Sequence, residues 1–173
     1  VHGRAGGEIP AELGELAAEL ERRRRAPVRL QALTAERPPD PAELRQPQAI
    51  GSALPLSLVP LFLLPGGHRR SDVPAVAAHW RRSGPVRRLP FLGAWPSWQR
   101  ALAAELAALP PGGGIPLLLH HPLEGGLARR YLHHLAAVTG ADCRAASYSA
   151  TDLEELKLAI QGPAMPLALA ANR

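Results

Sequence analysis

Cysteine is almost absent from this chain, since Cys143 is the only one among 173 residues. One cysteine cannot form an intrachain disulfide, which excludes the small disulfide-stabilised folds. The simplest interpretation of Cys143 is a small buried residue. Together with the absence of a visible secretory signal, it favours a reducing compartment, and we expect a cytoplasmic protein.

Long hydrophobic runs and aromatic residues are scarce too. No apolar stretch reaches the ~18 residues that a membrane-spanning helix needs, so we expect no membrane anchor. Aromatic residues make up 4% of the chain, and no known nucleic-acid-binding motif occurs. We therefore expect no nucleic-acid partner, although the net charge of +5 leaves a basic anion- or nucleic-acid-binding module open as an alternative. A serine hydrolase is disfavoured because no G-x-S-x-G motif is present.

The hydrophobic content of 46% argues for a folded core, and the 19 prolines and 16 glycines are spread between apolar segments as turn residues. Strand and helix patterns alternate along the chain, which predicts an α/β fold with parallel β-sheets flanked by helices. The predicted helices cover about residues 10–25, 72–82, 96–108, 124–138 and 151–161. The predicted strands cover residues 28–34, 53–64, 86–92, 115–120, 142–148 and 165–170.

The segment around His68 is the most informative part of the sequence. An apolar run typical of a buried parallel strand ends at Leu64 and leads through Pro-Gly-Gly to His68. Ligands bind at the carboxyl ends of strands in open α/β sheets. We expect Gly66 and Gly67 to allow a sharp turn there, and Ser71 or Asp72 to cap the helix that follows.

A second histidine, His2, stands in the similar setting HGRAGG at residues 2–7. If the strands that precede His2 and His68 are neighbours in one sheet, both imidazoles face the same crevice. Neutral imidazoles suit Co²⁺, Ni²⁺ and Fe²⁺, and few ligands leave coordination positions open for metal transfer.

These segments resemble the CbiX/SirB group of sirohydrochlorin chelatases, members of the class II chelatase superfamily that includes ferrochelatase. VPLFLLPGGHRRSDVP at 59–74 fits that group's P-x-F-L-x-x-G-x-H-x-x-x-D-[IV]-P pattern nearly throughout. PFLG at 90–93 fits the next strand end, and HGRAGG at 2–7 is an altered form of the group's HGSR-like turn. The resemblance implies a chelatase-like fold with two similar lobes around a cleft.

We expect a chelatase-like N-terminal lobe with the metal site at residues 1–109, a linker at 110–114 and a second lobe at 115–173. The second lobe echoes the first in short apolar matches, and it lacks a counterpart of the Gly-Gly-His turn. We therefore expect that this lobe is incomplete and that the chain is a fragment of a longer protein or one with eroded ends. Apolar surface left by such a lobe favours homo-oligomerisation.

The resemblance implies an enzyme, a lyase that inserts cobalt, nickel or iron into a sirohydrochlorin-like tetrapyrrole for cobalamin or siroheme biosynthesis. The metal is a substrate, and no organic cofactor is expected. His2 and His68 are the expected metal ligands and proton acceptors. Glu36 is the expected carboxylate that family members place in this region.

Every cationic side chain except Lys157 is an arginine, and the planar guanidinium binds carboxylates in pairs of hydrogen bonds. Sirohydrochlorin is rich in carboxylates, so we expect the arginines beside the proposed ligands to bind the substrate's carboxylates. The Arg22–Arg25 run is instead interpreted as a solvated helix end. The expected substrate-binding residues are Arg4, Gly66, Gly67, Arg69, Arg70 and His120.

A second alternative is a degenerate chelatase-like protein that binds a tetrapyrrole or a metal without turnover. The HGRAGG turn lacks the serine and aspartate of the family's HGSRDP, which removes polar support from the His2 side of the site.

Overall fold

The computed structural model describes residues 1, 7–33, 55–110, 113–146, 154–155, 160 and 162–168. Its helices are α1 (Ala11–Arg24), α2 (Gly67–Arg70), α3 (Asp72–Arg81), α4 (Pro96–Ala108) and α5 (Gly126–Thr139), with a 3₁₀ turn at Leu92–Ala94. Its strands are β1 (Leu56–Leu58), β2 (Val86–Arg88), β3 (Leu117–His120), β4 (Asp142–Ala145) and β5 (Ala164–Pro166).

The longer helices confirm the predictions from apolar periodicity. On α3, the buried residues Val73, Ala77 and Trp80 recur at intervals of four and three positions, which places them on one face. The arginines at the end of α1 are exposed, and Arg22 and Arg23 pair with Glu19, as expected for a solvated helix end. The helix predicted at 151–161 falls largely outside the described residues. No helix in the described part of the chain is long and apolar enough to cross a membrane.

The strands are shorter than predicted, and proline is the reason for β1. The apolar run at 53–64 forms a strand only over Leu56–Leu58, between Pro55 and Pro60. Proline has no backbone N–H to donate to a sheet, so it limits the ladder on both sides.

The strand predicted at 28–34 is wrong over its described part, since residues 28–33 form no strand. Among the described residues, one parallel-type pair joins this segment to residue 1. The N–H of Leu33 donates to the carbonyl of Val1 at 3.0 Å, and the backbone nitrogen of Val1 lies 2.9 Å from the carbonyl oxygen of Gln31. A single pair is too short to make a strand of the whole segment.

All pairings between the described strands are parallel, which confirms the α/β class. β1 pairs with β2, with Leu56 opposite Val86. β3 lies between β4 and β5 in a three-stranded sheet. Parallel neighbours need a crossover, and here α2 and α3 connect β1 to β2 while α5 connects β3 to β4.

The chain packs as two compact units, the first formed by 1–62 with 67–91 and the second by 63–66 with 92–173. Contacts therefore place α4 in the second unit, whereas the sequence predicts a lobe boundary at 110–114; that boundary and the cleft between two lobes stay predictions. The second unit has a continuous core around Leu118 of β3 and Leu135 of α5, both fully buried. The other buried members of this core are Leu63, Leu102, Leu106, Ala141 and Leu167.

Candidate functional site

His68 is the second residue of the short helix α2, which runs almost without interruption into α3. The N–H of Ser71 donates to the carbonyl of Gly67 and the N–H of Ala75 donates to the carbonyl of Ser71, both at 3.3 Å. These are the i to i−4 bonds of an α-helix. Because of them, His68 and Asp72 lie one turn apart on the same helix face.

The imidazole of His68 is bonded to a carboxylate. Nδ1 of His68 contacts Oδ2 of Asp72, and both side chains are partly exposed, at 45% and 40%. An ionised carboxylate only accepts hydrogen bonds, so Nδ1 carries the proton that is shared with Asp72. In the neutral imidazole this leaves the lone pair on Nε2.

Ser71 supports Asp72 in this arrangement. Its Oγ lies 2.8 Å from Oδ1 of Asp72 and 3.3 Å from the carbonyl oxygen of Gly67. The capping role predicted for Ser71 or Asp72 is wrong: Ser71 has helical backbone angles and its side chain makes no cap bond to α3. The physical reason is that α2 already precedes α3, so the helical backbone starts earlier and the side chains are available to each other.

The backbone role predicted for Gly66 and Gly67, a turn that needs glycine, is also wrong, while their predicted substrate-binding role stays a prediction. Neither residue has a positive φ. A Cβ atom at Gly66 would meet only Leu123 Cδ2 at 3.9 Å, and one at Gly67 would meet nothing within 4 Å. The turn is made at Pro65 instead, since the N–H of Gly66 donates to the carbonyl of Leu64 at 3.0 Å around it. Such a three-residue turn suits the fixed φ of proline.

A partly buried hydroxyl holds the segment that leads into this turn. Tyr131 Oη lies 2.8 Å from the carbonyl oxygens of both Leu63 and Gly93. Burial raises the pKa of the Tyr131 hydroxyl, and Cys143 raises it further. The hydroxyl is therefore neutral, and the two carbonyls share its single proton.

Gly93 is required where it stands. A Cβ atom there would come within 1.9 Å of the Leu63 carbonyl oxygen. The carbonyl of Gly93 also accepts a hydrogen bond from Nε2 of the buried Gln99 at 3.0 Å, and Oε1 of Gln99 lies 3.2 Å from Nε2 of His134. The PFLG turn is thus fixed by polar groups from α4 and α5, and Leu63, two residues before Pro65, is fixed with it through Tyr131.

His120, at the end of β3, is in a different environment. The residue as a whole is only 3% exposed, and its Nδ1 lies 2.7 Å from the carbonyl oxygen of His121. The substrate-binding role predicted for His120 stays a prediction, as does that of Arg70, which is exposed in α2. Arg69 lies beside it in the same helix.

Three of the predicted site residues, His2, Arg4 and Glu36, lie outside the described residues. Among the residues that the structure does describe, no three His, Cys, Asp or Glu side chains come together as a ready metal site. Asp72 is the partner that sequence reasoning did not assign to His68. The spacing His-x-x-x-Asp could have indicated it, because residues four apart are neighbours on a helix.

Comparison with known proteins gives one match. A protein-family model described as CbiX matches residues 1–109, the part of the chain that contains His68, Ser71 and Asp72. No curated protein and no solved structure matches the chain.

Proposed function

This chain belongs to the CbiX family, and on that basis we propose that it inserts Co²⁺, Ni²⁺ or Fe²⁺ into a sirohydrochlorin-like tetrapyrrole in cobalamin- or siroheme-type biosynthesis. Family membership supports the general function, chelatase-type insertion of a divalent metal into a tetrapyrrole. The observation that carries the proposal for this chain is His68, which follows the strand-and-turn motif and is bonded through Nδ1 to Asp72.

The reaction sets two requirements for the site. The metal must be held while it keeps open coordination positions, and the two pyrrole N–H groups must lose their protons as the nitrogens bind the metal. No electron is transferred, so the metal keeps its oxidation state. A neutral imidazole meets the first requirement, because it binds these metals and can exchange. Once the metal has left, the same nitrogen can accept one of the protons.

We assign the metal-binding role to Nε2 of His68 and propose His2 as the second ligand and proton acceptor. His68 and His2 then account for the two pyrrole protons, and Glu36 is the proposed carboxylate that family members place in this region. Arg4, Arg69 and Arg70 are proposed to bind the carboxylates at the substrate rim, because a guanidinium pairs well with carboxylates. Gly67 supports access to His68, since the space beside its Cα is open.

The test is the rate of Co²⁺ insertion into sirohydrochlorin by the purified full chain, followed by absorbance. We expect insertion well above the spontaneous rate, lost in His68→Ala. His133→Ala is the matched control, because His133 is an exposed histidine on α5 outside the proposed site. Wild-type protein that does not exceed the spontaneous rate would overturn the proposal.

One observation favours a second candidate, a family member that binds a tetrapyrrole or metal without turnover. HGRAGG at residues 2–7 departs from the family's first turn at the serine and aspartate. The same assay distinguishes the two, since this candidate predicts that sirohydrochlorin or Co²⁺ binds while the insertion rate stays at the spontaneous level. Cytoplasmic location and self-association stay predictions.

A further inference from the structure

The contacts of His68 form a chain of three side chains on one helical turn. Ser71 Oγ lies 2.8 Å from Oδ1 of Asp72, and Oδ2 of the same carboxylate contacts Nδ1 of His68. Each oxygen of Asp72 thus has its own partner within this turn. Ser71 therefore orients the carboxylate of Asp72, and the carboxylate orients the imidazole of His68.

From this geometry we infer that Asp72 is a positioning residue for metal delivery: it fixes the His68 imidazole with its proton on Nδ1 and its lone pair on Nε2. The inference rests on the proposed function, in which His68 binds the metal. Histidines that bind metals commonly donate their other ring N–H to a carboxylate, which sets the tautomer and the ring orientation. The contact between Nδ1 of His68 and Oδ2 of Asp72 has that arrangement.

The surroundings favour this role over a role in folding. The side chains of His68 and Asp72 are 45% and 40% exposed, and exposed ion pairs contribute little to protein stability. The helical backbone of this turn is held by its own hydrogen bonds from Ser71 and Ala75. Loss of the carboxylate should therefore change the imidazole more than the fold.

Ser71 acts one step further away. Its hydroxyl is 2.8 Å from Asp72 and 3.3 Å from the Gly67 carbonyl, and a hydroxyl has one proton to donate. The shorter contact and the negative charge both favour donation to Asp72. Removing this hydroxyl should loosen the carboxylate and leave its charge in place, so its effect should be the smaller of the two.

The first measurement is the ¹⁵N spectrum of the histidine ring nitrogens in metal-free protein, at a pH well above the ordinary histidine pKa of ~6.5. The His68→Ala spectrum identifies the signals of His68. We expect the Nδ1–H tautomer in the wild type and in Asp72→Glu. In Asp72→Asn we expect a shift toward Nε2–H, because an amide can donate to Nδ1 as well as accept from it.

The second measurement is Co²⁺ binding and insertion by the same variants. We expect Asp72→Asn to lose about 10- to 100-fold in Co²⁺ affinity or insertion rate, as is typical when the carboxylate behind a metal-binding histidine is removed. Asp72→Glu should recover part of the loss, and Ser71→Ala should lose less than Asp72→Asn. Glu105→Gln, which removes an exposed carboxylate on α4, is the control and should match the wild type.

Different results would overturn the metal-binding role of His68 and the positioning role of Asp72. If His68→Ala binds and inserts Co²⁺ like the wild type, the proposed function of His68 is wrong. If His68→Ala is defective while Asp72→Asn keeps both the wild-type tautomer and the wild-type Co²⁺ affinity, the positioning role of Asp72 is overturned and the role of His68 stands.

Discussion

Two histidines can be compared in this protein, one after a parallel strand in the first unit and one at the end of a parallel strand in the second, and their surroundings differ. His68 follows β1 on a short helix, is 45% exposed, and bonds a charged carboxylate. His120 is the last residue of β3, is 3% exposed, and bonds a neutral backbone carbonyl. A ligand that must take up and release a metal needs the accessibility of the first. The second is suited to hold a strand end in place.

The largest effect should separate these two histidines in equilibrium Co²⁺ binding. His68→Ala should weaken binding about 100-fold, the upper range for loss of a group that supports a metal site, with little change in Tm because the ring is exposed. His120→Ala should bind Co²⁺ within a few-fold of the wild type. Equal weakening in the two variants would erase the distinction between them.

The next effect concerns glycines in the two family motifs and is measured by denaturant unfolding. Gly93→Ala should reduce the free energy of unfolding by about 3 kcal/mol or more, because the new Cβ would overlap the Leu63 carbonyl. Gly67→Ala should change it by less than about 1 kcal/mol, since the space beside Gly67 is open. Gly113→Ala, also in open space, is the control. A large loss in Gly67→Ala would show that its backbone does need glycine.

A smaller effect tests whether His120 is structural. His120→Ala should reduce the free energy of unfolding by about 1–3 kcal/mol, because it removes a partly buried hydrogen bond and leaves the space of a buried ring unfilled. The tetrapyrrole affinity of His120→Ala should be measured beside its free energy of unfolding, and both should be compared with the wild type. If affinity falls while the free energy of unfolding stays at the wild-type value, His120 contacts substrate, as the sequence predicts.

The smallest effect concerns Cys143 on β4. Burial raises the pKa of its thiol, and the charge of Asp142 raises it further. The thiolate is the reactive form, so folded protein at pH 8 should react more slowly with a disulfide reagent such as Ellman's reagent than the unfolded chain does. Asp142→Asn should react somewhat faster than the wild type. Equal rates in the folded and unfolded protein would contradict this assignment.

The sequence predicts the helices well because their signals are local. The apolar spacing on α3 and Pro96 at the first position of α4 each indicate a helix without knowledge of distant residues. Strand lengths were harder to predict, because a strand also needs a partner and a free N–H. Pro55 and Pro60 limit β1 for that reason.

At the site, the sequence motif identifies His68 as a candidate residue. The contacts that surround its imidazole are seen only in the structure. Two adjacent glycines in a sequence are compatible with a turn that needs positive φ and also with small residues beside an open space. In the structure, Gly66 and Gly67 are small residues without positive φ. The sequence pattern predicts Asp72 as a helix cap because it does not show that α2 already precedes α3. The hydroxyl of Tyr131 reaches Leu63 across 68 positions of the chain, a contact that no local pattern predicts.

The most direct test of the account is the rate of Co²⁺ insertion into sirohydrochlorin by the wild type, His68→Ala and His133→Ala under identical conditions. We expect insertion well above the spontaneous rate in the wild type and in His133→Ala, and a fall to the spontaneous rate in His68→Ala. A His68→Ala protein that inserts Co²⁺ as fast as the wild type would contradict it.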